Sequence, residues 1–314
     1  MELSLIHALV RATPLALFHP FRKAAVSLKR GTLPRKACVA VLQVAAKANR
    51  TRLSARVGEI RPLDAPELRF KPVDSMVLDA VYWFGVQGYE GRVADVWVGL
   101  AGRARSVLEV GGNIGLFSVL GGRACHGSYT VVEPVPHVAA VLRENLTLNG
   151  CGSVELLEAA AVPGAEETEV MLNVPDEGRG APVGSFVTGA SEIDNRSPGR
   201  SLAVRGIPFR TLISGRDLVK IDAEGLEADL LDSARDLILA ERPTLMIEVL
   251  PSAPRLATLL AELATTAGYE IHVLPEWGTD RIVTVPASTF TAALPGRYNS
   301  KDVVLSTSAL PGSG

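Results

Sequence analysis

The residues best suited to chemistry in this chain fall into two clusters. The first is an E-x-G-G-N-x-G run, Glu109, Gly111, Gly112, Asn113 and Gly115, followed 18 residues after Gly115 by Glu133. A carboxylate can accept both hydroxyls of a nucleoside ribose, and an acid about 20 residues beyond a glycine turn is where that contact is expected. Glycines let backbone approach a ligand closely, because a Cβ at Gly111 or Gly115 would fill the space. The run lacks the third glycine of G-x-G-x-x-G, and an acid ahead of the turn repels phosphate. Both features count against the competing reading of an NAD-dependent oxidoreductase, and Glu109 suits a ligand with a cationic end.

The second cluster is LVKIDAEGLE, residues 218–227, where Lys220, Asp222 and Glu224 alternate at the end of an apolar strand. An unpartnered buried charge is costly, so an ion pair from Lys220 to an acid is expected, alone or beside a functional role. Glu248 stands near the end of the next apolar run, PTLMIEV. Asp222, Glu224 and Glu248 would make a Mg²⁺ site able to orient and acidify a diol if their strands converge.

These residues need strands whose carboxyl ends share an edge. Residues 106–110 and 129–132 read as two such strands, the first turning through the glycines into a helix and the second ending at Glu133-Pro134. Val138, Val141, Leu142, Asn145 and Leu148 have helical spacing, stopped by Asn149-Gly150. A third strand over 154–157 ends near Ala160, where small side chains leave room for a flat ring. Residues 168–174 are strand-like, whereas 175–200 are rich in Gly, Pro and Ser with no period, as in a lid, a binding loop or a disordered segment. Leu226, Leu230, Leu231, Ala234, Leu237 and Ile238 predict one helix after the second cluster. Residues 243–249 form a further strand, Leu256, Leu259, Leu260 and Leu263 a helix, and 270–274 and 302–305 the closing strands. Upstream, Val93, Val96, Trp97 and Leu100 predict a helix, with Glu90 in the turn before it as a further candidate cofactor contact.

Of 314 residues, 47% are hydrophobic and 21% charged, as in a globular protein with a sizeable core. The net charge of −2 conceals an asymmetry: residues 1–56 carry eleven Lys/Arg and one acid, Glu2. Cys38, Cys125 and Cys151 are unclustered, which argues against a disulfide scaffold or a zinc site and suits the cytoplasm. There is no transmembrane-length apolar run, and Glu2 and Arg11 disfavour a signal peptide. Residues 1–75 look mostly helical, broken by Pro14, Pro20, Pro34, Pro62, Pro66 and Pro72. Ala37, Val41, Leu42, Val44, Ala45 and Ala48 give this extension an apolar face beside Lys36, Lys47 and Arg50. Such a segment could touch an anionic membrane, an acidic carrier protein or a phosphorylated substrate; the preferred reading is a helical cap with its charges in water. No interleaved aromatics support nucleic-acid binding.

Four motifs in order, VLEVGGNIGLFS, VVEP with NLTLNG, LVKIDAEGLEADLL and PTLMIEV, resemble the FkbM-family methyltransferases across roughly residues 80–305. Those enzymes use S-adenosylmethionine and mostly O-methylate polyketides, sugars and glycolipids. The resemblance implies an α/β, Rossmann-like class I methyltransferase fold with a mostly parallel seven-stranded sheet over 76–314, and a role in secondary metabolism. It also implies that the loop of Glu109, Gly111, Gly112, Asn113 and Gly115 cradles the methionine end of the cofactor and that Glu133 holds the ribose. The KIDAEG segment would face the methyl, with Asp222 as first choice for base or hydroxyl orienter, Glu224 as second and Lys220 as the partner of Asp222. Glu109 and Gly112 replace the family's usual Asp and Ala, and RTLISGRD is shorter than the usual stretch. His137 and His272 read as surface or satisfied core residues. A non-catalytic relative that recruits partners through residues 1–56 is the remaining alternative.

Overall fold

The computed structural model describes residues 10, 12–28, 32–49, 53–54, 56–175, 185–187, 199–249, 253–274, 281–290 and 301–310. Its described residues divide into one compact unit up to Gly91 and another from Arg92 onward.

In the first unit a short turn, Leu15–Phe18, leads into α1 (His19–Ser27), α2 (Leu33–Asn49) and α3 (Met76–Phe84). Proline enters α1 and α2 in their first turns, where its missing N–H costs nothing. Arg22 locks α1 to α3: its guanidinium lies 3.6 Å from the Tyr82 ring centroid, and its Nε donates to the Tyr82 carbonyl at 2.7 Å. Trp83 takes Phe18 and Tyr82 edge-on. The helical character expected throughout this region stops at α2. Residues 56–75 hold turns and one bridge, Ile60 to Phe70. Pro62, Pro66 and Pro72, spaced too closely for a helix between them, remove its donors.

The second unit opens with α4 (Val93–Ala101), then β1 (Ser106–Val110), α5 (Leu116–Ala124), β2 (Ser128–Val132), α6 (Pro136–Leu148) and β3 (Val154–Leu157). After β4 (Ala160–Val162), β5 (Thr168–Val174), β6 (Phe186–Val187), β7 (Arg200–Pro208) and α7 (Phe209–Ile213) come β8 (Leu218–Ile221), α8 (Glu227–Ser233), α9 (Arg235–Glu241) and β9 (Thr244–Val249). The chain continues through α10 (Pro254–Ala267), β10 (Glu270–Val273), β11 (Val283–Val285) and β12 (Lys301–Ser306).

The main sheet runs β11-β10-β12-β9-β8-β1-β2-β3. β3, β2, β1, β8 and β9 are parallel neighbours, while β12 enters antiparallel between β9 and β10. This is the Rossmann-like α/β arrangement, with β11 as an eighth strand at the edge. The sequence direction reverses at β1, between β2 and β8, and ligands of such sheets bind outside the carboxyl ends at that point. Central strands buried on both faces read as apolar runs; all four residues of β8 are buried, Lys220 included.

Two elements differ from expectation. The helix after the second cluster is two helices, because Ala234 leaves helical geometry at φ −117°, ψ 16°. A separate sheet, β4-β7-β5-β6, stands beside the main one. Its long strand β7 joins the aperiodic loop to α7; its burial alternates only over residues 202–206 and gives way to continuous burial at the end. Most of the expected lid, 176–184 and 188–198, lies outside the described residues. Among the described residues no helix is long and apolar enough to cross a membrane.

Candidate functional site

The glycine turn leaves β1 with its backbone pinned from both sides. The Gly111 and Gly112 N–H groups donate to the Val132 carbonyl at the end of β2, and Asp222 N–H donates to the Val110 carbonyl. A Cβ on Gly111 would stand 2.0 Å from the Asp222 carbonyl oxygen, and φ here is +87°. The first cluster is therefore held directly against the second by a contact only glycine allows.

Glu133 supports the same turn. Its Oε2 accepts the Asn113 N–H at 2.8 Å and its Oε1 the Val135 N–H at 2.9 Å. Asn113 takes a left-handed φ of 47°, a conformation that asparagine tolerates better than most residues, and the Asn145 side chain donates to the Ile114 carbonyl at 2.7 Å. A carboxylate offers about four acceptor positions, so two backbone donors leave capacity for two hydroxyls. Burial pushes the Glu133 carboxyl up to about 7, against the two backbone hydrogen bonds.

Glu109, expected at the methionine end of a cofactor, is 1% exposed and finds partners inside the sheet. It stands opposite Lys220 in the β1–β8 register and accepts the Tyr129 hydroxyl at 2.6 Å. Burial raises it to about 7, with the Lys220 charge pulling the other way. Lys220 is only 2% exposed; its Nζ donates to Asp222 Oδ2 at 3.1 Å and lies 4.8 Å from the Phe117 ring centroid. The ion pair anticipated on desolvation grounds is present, and its acid, with a side chain 25% exposed, reaches the surface.

Glu248 lies opposite Asp302 in the β9–β12 register, one residue past the Ile221–Ile247 pair that joins β8 to β9. Asp222, Glu248 and Asp302 thus follow one row across the strand ends. Asp302 is buried, and burial raises it to about 6 while Lys220 opposes the rise. Among the described residues no group of three or more His, Cys, Asp or Glu side chains is arranged to hold a metal ion, so Asp222, Glu224 and Glu248 form no Mg²⁺ site.

Glu224 adopts φ 54° in the loop between β8 and α8, an unusual conformation for a residue with a side chain. What holds the loop is Glu227, whose Oε1 accepts the Ala223 N–H at 2.7 Å and whose Oε2 accepts the Gly225 N–H at 3.0 Å. Burial raises Glu227 to about 7. Sequence reasoning gave Glu227 no role; the signal was an acid in the first turn of a helix, two residues after a loop glycine, where exposed N–H groups need acceptors.

Ala160 starts β4 in the smaller sheet, paired with Gly206, and its neighbours Ala159 and Ala161 pack in the hydrophobic core. Glu90 lies in the first unit at φ 53°. His137 is exposed on α6, and His272 is buried on β10 with Nδ1 2.9 Å from Thr284 Oγ1; burial lowers its pKa. Glu109, the glycine turn, Glu133, Lys220, Asp222 and Glu248 are carried together by four neighbouring parallel strands, while Ala160 is carried by another sheet. Tyr129, Asn145, Glu227 and Asp302 join the constellation unanticipated.

Residues 109–271, just over half of the chain, match the family model described as the methyltransferase FkbM domain. No curated protein matches the chain significantly. Among solved structures it is similar to an FkbM methyltransferase from Methylobacillus flagellatus KT, at 16% identity over 73% of this chain and 53% of that one, with a TM-score of 0.39. It is also similar to precorrin-6y C5,15-methyltransferase from Geobacter metallireducens GS-15, at 12% identity over 70% and 90% of the two chains, TM-score 0.38. An O-methyltransferase from Bacillus cereus in complex with SAH matches at 11% identity over 68% and 80%, TM-score 0.34.

Proposed function

The chain belongs to the FkbM methyltransferase family, and on that premise we propose that it moves a methyl group from S-adenosylmethionine to a hydroxyl oxygen of a small-molecule natural product, sugar or glycolipid, in the cytoplasm. The observation that carries the reading is the Gly111–Asp222 contact, which joins a nucleoside-binding turn to an ion-paired acid at one sheet edge.

The residues fit the cofactor. Glu133 keeps acceptor capacity for two ribose hydroxyls after binding Asn113 and Val135. The close approach at Gly111 and Gly115 leaves backbone rather than side chains at the turn. When bound, the cofactor supplies an electrophilic methyl on a sulfonium. The protein's part is to align the acceptor hydroxyl and receive its proton. Asp222 takes that role, with an oxygen held by Lys220 and a side chain partly open. Lys220 keeps the carboxylate oriented, and Glu109 and Asp302 flank the buried ammonium and hold it in the sheet. Glu224 is the second acid, presented by the loop that Glu227 fixes. Glu248 lines the acceptor side.

Calorimetric titration with S-adenosylhomocysteine, with NAD as control, tests the cofactor. Saturable binding of S-adenosylhomocysteine alone is expected, followed by methyl transfer to hydroxyl acceptors. Binding without turnover on any acceptor would favour a scaffold, and binding of NAD alone would overturn the reading.

A further inference from the structure

The exposed side of α2 is apolar. Leu33, Ala37, Val41 and Val44 follow at i, i+4, i+8 and i+11 on one side of the helix, and all are exposed, Leu33 at 79%. The other side, Leu42, Ala45 and Asn49, is buried, and Ala48 at the C-terminal end of the helix is buried as well. An ordinary surface helix reverses this pattern on its outer face. Leu17, Phe21 and Leu28, at or next to α1, are exposed too, and Arg35 Nε fastens α2 to α1 through the Ala25 carbonyl at 2.8 Å. Of the ten exposed large apolar side chains among the described residues, six lie between Leu17 and Val44. Clustering of this kind marks an interaction surface, whereas scattered exposed apolar residues do not.

Charge selects the occupant. From residue 3 to residue 58 there are eleven Lys/Arg and no acid. Lys36 and Lys47 are exposed along one border of the apolar stripe, and Lys23 is exposed on α1. A second copy of the same surface would bring cation against cation. Apolar side chains bordered by lysines on an exposed helix match the layered chemistry of an anionic bilayer, acyl chains beneath phosphate.

We propose that α1 and α2 form a peripheral docking surface for anionic lipid membranes, with Leu33, Val41 and Val44 entering the headgroup boundary and Lys36 and Lys47 contacting lipid phosphate. The surface is separate from methyl transfer, and its assignment does not depend on that reaction.

Co-sedimentation of the full chain with vesicles tests it, using phosphatidylcholine alone or with about a third phosphatidylglycerol. Binding to the anionic vesicles is expected, weakening as salt rises, with neutral vesicles at least tenfold poorer. Each lysine near such a surface contributes about fivefold, so K36Q/K47Q should lose on the order of 25-fold. L33S/V41S/V44S should lose at least tenfold while keeping the wild-type far-UV circular dichroism. Absence of sedimentation with anionic vesicles would overturn the proposal. So would full binding by the serine variant, which would mean that the basic residues capture polyanions such as an acidic protein without membrane entry. If the serine variant does not fold, K36Q/K47Q decides: unchanged binding rejects the surface.

Discussion

A buried lysine with one carboxylate in contact and two more nearby is a costly arrangement, and the role proposed for Asp222 rests on its being the partner whose side chain is open to solvent. Glu109 and Asp302 already stand close enough to feel the Lys220 charge from inside the sheet, whereas Asp222 is the acid that reaches the surface. Asp222→Asn should therefore lower kcat by about 10²- to 10⁴-fold, the range of a positioned proton acceptor, with S-adenosylhomocysteine affinity within about twofold of wild type. Loss of cofactor affinity in calorimetry would instead move Asp222 to the cofactor side. Glu133 gives a pH signature. Its carboxyl is raised to about 7 by burial, so below that pH it is neutral and loses acceptor capacity for the ribose. Affinity for S-adenosylhomocysteine should rise between pH 6 and 8 and level off, and Glu133→Gln should bind more weakly with a flattened profile. A wild-type profile that is already flat would remove Glu133 from the ribose site.

Among elements, the glycine turn carries the tightest constraint. Gly111→Ala would put a Cβ against the Asp222 carbonyl oxygen in a left-handed backbone, which costs about 2 kcal/mol or more. Lower thermal stability together with loss of cofactor binding is expected; an unchanged melting temperature would mean that the two strand ends separate freely. Much of this edge was legible in the sequence. Strand ends beside Glu109, Glu133, Lys220 and Glu248, and the glycines between, follow from apolar runs cut by turn residues, and those runs are too short for helices. The break at Ala234 was not legible, because alanine is the best helix former and only tertiary packing overrides it. β7 was hidden for another reason: its burial alternates only over residues 202–206 and is continuous after that, so no period of two runs through the strand. Asp302 was invisible as a site residue because its relevance comes from register. It is about 80 positions beyond Lys220, and only an antiparallel strand returning into the sheet brings it to the same edge. Glu227 could have been found, since an acid in a first helical turn is a familiar acceptor for loop N–H groups.

For the whole molecule, the buried acids set how stability depends on pH. Glu109, Glu133 and Glu227 rise from 4.5 to about 7 on folding, and Asp302 rises from 3.8 to about 6. An acid whose pKa rises on folding holds its proton in the folded state after the unfolded chain has released it. The unfolded state then binds fewer protons, and unfolding free energy falls as pH increases. Urea midpoints should decline from about pH 5 to about pH 7 and flatten above that; a midpoint that climbs through this window would contradict the assignment. Ligand binding at Glu133 should offset part of the decline, since hydroxyl donors favour the ionised carboxylate.

The position of β12 has a consequence for how the protein is made. The strand lies between β9 and β10, although it is translated after both. As the nascent chain leaves the ribosome, two strands emerge flanking a vacant slot, each with an unpaired edge open to wrong partners. The turn, Glu133, Lys220 and Asp222 all exist by then, but the row that ends in Asp302 does not. Stalled ribosome complexes carrying residues 1–290 should be cleaved readily by protease and take up no S-adenosylhomocysteine, while those carrying the whole sequence beyond the exit tunnel should resist cleavage and bind it. Activity would thus wait for the emergence of β12, the strand that closes the gap.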